Sequence, residues 1–244
     1  KGAGGNALLE MTPIDYQRAP LALKRIAERA DMHIVAVTGY LKEKFSKPLV
    51  DTQSVEQMTQ RFIREIQHGM DDTQVRAGAI KAASSLNVIT DSERKVFEAA
   101  AQAQQATGAL ITTHTEAGTM ALEQIELLMA MGVPANRILI GHLDRNLDAD
   151  LHQRVAQTGV YMGFDQIGKT KYATEAERID MIKMLIDRGH AQQIMLSMDI
   201  ARRSYLPAYG GKPGFAYLLT DFVPLLRSTG VTDDLIHIML VQNP

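Results

Sequence analysis

The sequence contains neither cysteine nor tryptophan among its 244 residues. Without cysteine the chain has no disulfide, no thiol nucleophile and no thiolate metal ligand, so any metal must be held by histidine, carboxylate or modified lysine side chains. The absence fits a reducing compartment, and we expect a cytoplasmic protein. No apolar run approaches the roughly 20 residues needed to span a bilayer, so we expect no membrane partner.

The chain also lacks a large excess of either charge, because 26 Lys and Arg residues are balanced by 28 Asp and Glu residues. This balance gives no general argument for binding to nucleic acid, and we expect a small-molecule partner instead. The length of 244 residues suits one α/β domain, since single barrels commonly contain about 250 residues. We therefore interpret residues 1–244 as one domain, and a homodimer is compatible with the sequence.

Short apolar runs alternate with helix-length amphipathic segments along the whole chain. The seven predicted strands begin with residues 7–11, 33–38, 77–83 and 110–111, and continue with 138–140, 160–164 and 194–198. Regular alternation of strands and helices predicts a parallel sheet of the α/β class. Because a closed (β/α)₈ TIM barrel needs eight strands, we expect such a barrel with its first strand preceding residue 1. An open, seven-stranded, doubly wound sheet is the alternative.

Four side chains that can bind metals stand within or at the ends of predicted strands: Lys81, His114, His142 and Asp199. In parallel α/β folds the carboxyl ends of the strands form the edge where chemistry takes place. An unpaired ammonium or carboxylate in an apolar strand is costly, and metal ions would remove that cost. A desolvated lysine amine can also react with carbon dioxide to give a carbamate that bridges two cations. Ordinary loop caps and an exposed lysine are the simpler alternatives.

Five basic residues follow three consecutive strand ends. They are Arg145, Lys169, Lys171, Arg202 and Arg203. Barrels frequently bind phosphate at the loops after their last two strands, where Arg offers a planar fork and Lys a point charge. Tyr205 would add a hydroxyl donor, and Tyr40, which follows another strand, is expected to line the pocket. The alternative is an ordinary solvated loop surface.

Several segments resemble one known family in the same order along the chain. AGAIKAAS, ITTHTEAGTMALEQ, ILIGHLDRN, GFDQIGKTKY and LSMDIARRS are similar to the phosphotriesterase-like branch of the amidohydrolase superfamily. The resemblance implies a (β/α)₈ barrel with two divalent metal ions, for which we expect Zn²⁺, with Mn²⁺ or Co²⁺ as alternatives. By that likeness Lys81 would be the carboxylated bridge, and His114 and His142 would hold the more exposed metal. Asp199 would bind the buried metal and exchange a proton with the bridging hydroxide, which makes Lys81 and Asp199 the expected catalytic residues.

The sequence departs from the family pattern at two places. The His-x-His pair of the family's first strand has no counterpart within residues 1–244 and would belong before Lys1, and without it the buried metal loses two ligands. Phosphotriesterases extend their proton relay with a histidine and an acid, whereas Gln166 and Arg145 occupy those positions here. The second departure weakens an interpretation as an organophosphate hydrolase.

Some members of this branch hydrolyse lactones of phosphorylated sugars, and the GKTKY and ARRSY segments resemble theirs. The resemblance makes Lys171, Arg202 and Tyr205 the leading phosphate ligands, with Arg145 and Lys169 as further candidates. We therefore expect a hydrolase that opens a lactone or ester of a phosphorylated sugar by attack of a metal-bridging hydroxide. Hydrolysis of phosphotriesters or simple carboxyl esters is one alternative. A metal-free barrel that only binds a ligand is the non-enzymatic alternative.

Overall fold

A computed structural model describes every residue from Lys1 to Pro244, and the chain forms two compact units. The first comprises Lys1 and Asn6–Ile140, and the second comprises Gly2–Gly5 and Gly141–Pro244. None of the helices combines the length and the apolar character that a bilayer crossing requires.

Seven strands follow one another along the chain, which confirms the number predicted from the apolar runs. They are β1 (Ala7–Glu10), β2 (His33–Gly39), β3 (Ala79–Ser84), β4 (Leu110–Thr115), β5 (Ile138–Gly141), β6 (Tyr161–Phe164) and β7 (Ile194–Leu196). In the first unit β1, β2, β3 and β4 pair in sequence order, and in the second unit β6 pairs with β7, always in parallel. These pairs lack the reversal of order that defines a doubly wound sheet. The α/β class is confirmed, and residues 1–244 contain seven strands rather than the eight of a complete barrel.

Nine α-helices lie between and after the strands. They are α1 (Pro20–Ala30), α2 (Glu43–Val50), α3 (Val55–Gln67), α4 (Asp91–Thr107), α5 (Ala121–Ala130), α6 (Ala149–Gln157), α7 (Glu175–Asp187), α8 (Val223–Ser228) and α9 (Asp233–His237). Two wider π-helical segments, Leu218–Phe222 and Ile238–Gln242, adjoin α8 and α9.

Local hydrogen bonds determine where three of the longer helices begin. Ser54, Thr90 and Thr174 cap α3, α4 and α7, and each accepts a backbone N–H from three residues later. In each case the side chain at that later position bonds back to the backbone of the capping residue. The first N–H groups of a helix have no partner within the helix, so these capping boxes satisfy them and fix the first turn.

Apolar packing holds the strands of each unit in place. Every residue of β3 is buried, as expected of a parallel strand covered on both faces. In the first unit α3 and α4 bury Phe62 and Phe97 completely. In the second unit the fully buried side chains include Phe164 on β6 and Leu185 on α7. Such dense packing keeps the polar side chains near the strand ends in fixed positions.

Candidate active site

Lys81 and His114 belong to paired strands of the first unit. In the register of β3 and β4, Lys81 lies opposite Thr112, and His114 lies two residues further along, opposite Ala83. Because alternate residues of a strand point to the same face, Lys81 and His114 share one face of this strand pair. Lys81 is only 4% exposed, so its amine lies in the desolvated environment that sequence analysis predicted.

The backbone beside Lys81 requires a glycine on the neighbouring strand. Gly39, opposite Lys81 in the register, has a φ of +97°. A Cβ atom added there would stand 2.0 Å from the Lys81 carbonyl oxygen, well inside contact distance. The same carbonyl accepts the N–H of Tyr40 at 3.0 Å. Gly39 therefore permits the close approach that fixes the Lys81 backbone.

A carboxylate orients the ring of His114, and a side-chain amide holds its backbone carbonyl. Its Nε2 lies 3.2 Å from Glu116 Oε2, and Glu116 also forms an ion pair with Lys42. Burial opposes ionisation of Glu116, but the hydrogen bonds from Lys42 and His114 outweigh it and lower the pKa of Glu116 to about 2. An ionised carboxylate only accepts hydrogen bonds, so Nε2 is the donor. The His114 carbonyl accepts from Gln124 Nε2 at 3.0 Å, which ties the strand end to α5.

His142, in the second unit, is also held by a carboxylate, but through Nδ1 rather than Nε2. The residue has a φ of +63°, and its backbone N–H donates to Asp165 Oδ2 at 2.9 Å. Asp165 Oδ1 lies 2.6 Å from His142 Nδ1. Burial opposes ionisation of Asp165, yet the charge and hydrogen bond of His142 outweigh it and lower the pKa of Asp165. Asp165 Oδ1 and Gln166 Nε2, which lies 2.9 Å from the same Nδ1, together fix the orientation of the ring.

Asp199 follows β7 with a φ of +44° and is contacted by two residues of the β6 loop. Its Oδ2 accepts from Lys169 Nζ at 2.7 Å and from Gln166 Nε2 at 3.1 Å. Lys169 also donates to the Asp199 carbonyl at 2.5 Å and to Gln166 Oε1 at 3.1 Å. Lys169 is 6% exposed, whereas the Asp199 side chain remains 37% exposed. The buried ammonium therefore compensates the charge of the predicted catalytic carboxylate.

A buried ion pair supports the loop that carries Gln166 and Lys169. Arg178 of α7 and Asp144 are both fully buried, and Arg178 Nε lies 3.0 Å from Asp144 Oδ2. Asp144 also accepts the backbone N–H groups of Asp165 and Gln166, at 3.1 and 2.9 Å. Burial, and then the charge of Asp165, raises the pKa of Asp144 to about 7, against the opposing charge of Arg178. Removing the guanidinium would leave this carboxylate without its cation.

The predicted phosphate ligands of the second unit include cations that contact aromatic rings. Arg145 Cζ and Lys171 Nζ lie 4.6 and 4.4 Å from the ring centroid of Tyr172. Lys169 Nζ lies 5.2 Å from the ring of Tyr205. These distances are within the range of cation–π interactions. Positive charge and aromatic surface are therefore combined in the loops after β5, β6 and β7.

Two predicted substrate contacts differ in their exposure. Arg202 is exposed in the loop after β7. Tyr40 is fully buried, and its hydroxyl accepts from Gln53 Nε2 and Arg61 Nη1, both at 2.9 Å. Its ring packs against Phe62. The contact of Tyr40 with substrate stays a prediction, and its observed contacts are those of a core residue.

The fit to a divalent metal can be judged from the donor atoms. No group of three or more His, Cys, Asp or Glu side chains is arranged so as to hold a metal ion. Imidazole and carboxylate donors are nevertheless those that zinc accepts, and His114 and His142 each have one ring nitrogen held by a carboxylate. Metal-bound histidines are generally oriented in this manner. By donor chemistry and ring orientation, these residues fit metal ligands.

Four residues that contact predicted site residues or support their loops were not predicted: Glu116, Lys42, Tyr172 and Arg178. Glu116 carried the clearest signal, because it lies two residues beyond His114 at the end of a predicted strand. Lys42 gave no such signal, since its partner is 74 residues away in the chain.

Comparisons with known proteins agree with the resemblance seen in the sequence motifs. The sequence pattern of the Phosphotriesterase family matches residues 1–244. The phosphotriesterase homology protein of Escherichia coli (strain K12) is 40% identical over 242 residues, covering 99% of this chain and 82% of that protein. A crystal structure of the Escherichia coli phosphotriesterase homology protein, with phosphate in its active site, has a TM-score of 0.97 and covers 100% of this chain and 84% of that one.

Two further solved structures are those of a lactonase and of an organophosphorus hydrolase. A lactonase from Listeria monocytogenes has a TM-score of 0.95 at 35% identity, covering 100% of this chain and 81% of that one. A mutant of an organophosphorus hydrolase from Deinococcus radiodurans has a TM-score of 0.88 at 32% identity, covering 100% of this chain and 79% of that one. The family match over the whole chain and the identity to the Escherichia coli protein show that this chain belongs to the phosphotriesterase family.

Proposed function

We propose that this protein is a metal-dependent hydrolase that opens the lactone ring of a phosphorylated sugar. Family membership supports an ester-hydrolysing enzyme, and the similarity to the Listeria monocytogenes lactonase supports a cyclic ester as the substrate. The single observation that carries the phosphate part is the pair of cations on the Tyr172 ring, Arg145 and Lys171. The related Escherichia coli structure, which holds phosphate in its active site, supports an anionic ligand.

Lys81 and His114 of the first unit, with His142 and Asp199 of the second, are the proposed metal ligands. Lys81 would act as a carbamate, and its burial supports this because desolvation favours the free amine that reacts with carbon dioxide. Two divalent ions, which we propose to be Zn²⁺, would polarise the carbonyl and provide a nucleophile at neutral pH. In a complete (β/α)₈ barrel, which we also propose, a first strand would supply the family's His-x-His pair.

Asp199 is the proposed general base and general acid. It would accept the proton of the attacking water and then deliver it to the leaving alkoxide. Lys169 and Gln166 fix the direction of this carboxylate by donating to its Oδ2. Lys171, Arg202 and Tyr205 would bind the substrate phosphate, away from the bond that breaks.

Phosphotriester hydrolysis is a second candidate, supported by the similarity to the Deinococcus radiodurans organophosphorus hydrolase. Gln166 and Arg145 occupy the positions at which phosphotriesterases extend their proton relay, so we expect this activity to be weaker. A simple carboxyl ester is a further test substrate for the same site.

The test combines metal exchange with a substrate panel. Protein treated with a chelator should lose activity and regain it with Zn²⁺, Mn²⁺ or Co²⁺, and the metal content should be measured before and after. The panel should contain a phosphorylated sugar lactone, its unphosphorylated counterpart, a phosphotriester and a linear carboxyl ester. We expect the phosphorylated lactone to have the highest kcat/KM. Full activity without stoichiometric metal would refute the mechanism, and a metal-free protein that only binds the lactone would support the non-enzymatic alternative.

A further inference from the structure

The ring of Tyr172 contacts two of the predicted phosphate-binding cations, Arg145 and Lys171. Tyr172 follows Lys171 in the loop after β6, and Arg145 lies in a short 3₁₀ turn after β5. The Arg145 guanidinium carbon is 4.6 Å from the ring centroid, and Lys171 Nζ is 4.4 Å from it. Both distances are within the roughly 6 Å at which a cation is attracted by the face of an aromatic ring.

Both cations also act on the phenol group of Tyr172. Burial opposes ionisation of the phenol, but the hydrogen bond from Lys171 and the charge of Arg145 outweigh burial and lower the pKa of Tyr172. The charges and the ring geometry thus link the same three residues. Lys169 adds a smaller effect of the same sign.

A phosphate group bound by Arg145 and Lys171 would accept charge-assisted hydrogen bonds from both. Lys and Arg side chains also have many rotamers, so an anion that binds them must normally restrict their motion. A ring that already contacts both cations limits their motion before the anion arrives. This is preorganisation, and it increases affinity without adding a contact to the ligand.

We infer that Tyr172 is a positioning residue, whose ring holds Arg145 and Lys171 in the orientation that binds the phosphate monoester group of the substrate. The inference rests on the proposed function and extends it to a residue that need not touch the substrate. The ring contacts both cations, and the hydroxyl accepts a further hydrogen bond from Lys171. Phenylalanine, which keeps the ring contacts, should therefore retain most of the effect, and leucine should lose it.

The test compares Tyr172→Phe, Tyr172→Leu and the wild type. Binding of inorganic phosphate is measured by calorimetry on the metal-loaded protein, and KM and kcat are measured on a phosphorylated lactone and its unphosphorylated counterpart. Tyr172→Leu should weaken phosphate binding and raise KM for the phosphorylated lactone by about three- to thirtyfold, as expected for the loss of one or two cation–π contacts. Its kcat on the unphosphorylated lactone should stay within about twofold of the wild type. Tyr172→Phe keeps the ring and loses only the hydrogen bond from Lys171, so its phosphate affinity and its KM for the phosphorylated lactone should lie closer to the wild type than those of Tyr172→Leu.

A matched control is Tyr16→Leu in the first unit, where an exposed tyrosine ring packs edge-on against Phe45. This variant should bind phosphate as the wild type does. If Tyr172→Leu fails to fold, as judged by its melting curve, Tyr172→Thr provides the same loss of the ring with a smaller side chain.

The outcomes separate this inference from the proposed function. If the wild type binds phosphate and prefers the phosphorylated lactone, but the leucine variant does so equally well, the role of Tyr172 is refuted and the proposed function stands. If the leucine and phenylalanine variants lose affinity equally, the hydroxyl acts instead and the inference is overturned. A wild type that shows neither phosphate binding nor a preference for the phosphorylated lactone overturns both.

Discussion

Replacing Arg178 with methionine should destabilise the protein strongly, because it leaves Asp144 buried without its cation. Both side chains are fully buried and lie 3.0 Å apart at Nε and Oδ2. The guanidinium also donates to the carbonyl oxygens of Ala173 and Lys169, at 2.9 and 3.1 Å, and to Glu175 Oε2 at 3.3 Å, so these groups would lose a donor as well. Methionine would fill much of the volume but could satisfy none of the four acceptors.

Removal of one partner from a buried ion pair costs about 3–5 kcal/mol. Proteins are stable by only about 5–15 kcal/mol, so this loss is a large fraction of the total. At this chain length each kcal/mol lowers the melting temperature by about 2–4 °C, and Arg178→Met should therefore melt roughly 6–20 °C below the wild type. The melting temperature is measured by circular dichroism.

A double-mutant cycle identifies the cause. The double variant Asp144→Asn/Arg178→Met should lose less stability than the sum of the losses in the two single variants, because it leaves no isolated buried charge. Arg154→Met, at an exposed position of α6, is the control and should change stability by at most about 0.5 kcal/mol. An Arg178→Met protein that melts with the wild type, or additive effects in the cycle, would refute the argument.

Three further predictions concern the first unit. Lys81→Ala should lose bound metal and activity, and short carboxylic acids added to the solution should partly restore both. A Lys81→Ala protein that still binds metal and is active would contradict the proposal that Lys81 acts as a carbamate. Glu116→Gln should weaken zinc affinity about ten- to a hundredfold in a chelator competition assay, because the carboxylate orients His114, and unchanged affinity would exclude that role. Burial raises the pKa of Asp15 to about 6, from about 3.9 in the unfolded chain, although the N–H of Leu41 favours the ionised form. The folded state therefore binds more protons than the unfolded state between about pH 4 and 6, and wild-type stability falls as the pH rises through that window. The melting temperature of Asp15→Asn relative to the wild type should rise across this window and stay constant above it. A difference that does not change with pH would disprove the raised pKa of Asp15.

Much of the fold could be predicted because strand and helix periods are local properties of the sequence. All seven strands were expected near their observed positions, since short apolar runs separated by amphipathic helices leave few other arrangements. Helices α2 and α6 have weak signals in the sequence. The first contains Pro48, which reads as a helix breaker, and the second is short and polar and begins at the cap Asp148.

The candidate site could be predicted only where strand geometry determines it. Parallel strands bring their carboxyl ends to one edge, so His114 and Asp199 were candidates before any coordinates were known. The partner of His114, Glu116, is close in the sequence, but the partners of Asp199 come from the loop after β6, which is distant in the sequence. Lys169 reads as a loop cation, yet it is buried against Asp199, 30 residues away. From the sequence, Tyr172 is predicted only to lie in a loop, and its contacts with Arg145 and Lys171 become visible only from the side-chain positions.

The central claim, that this enzyme recognises the phosphate of a lactone substrate, is tested most directly by one ratio. It is the kcat/KM for a phosphorylated lactone divided by that for its unphosphorylated counterpart, measured for the wild type and for Arg202→Ala. A charge-assisted hydrogen bond contributes about 1.5–3 kcal/mol, so the variant should lose about ten- to a hundredfold on the phosphorylated substrate and little on the other, with normal metal content. Equal rates of the wild type on both substrates, or equal losses of the variant on both, would contradict the phosphate site.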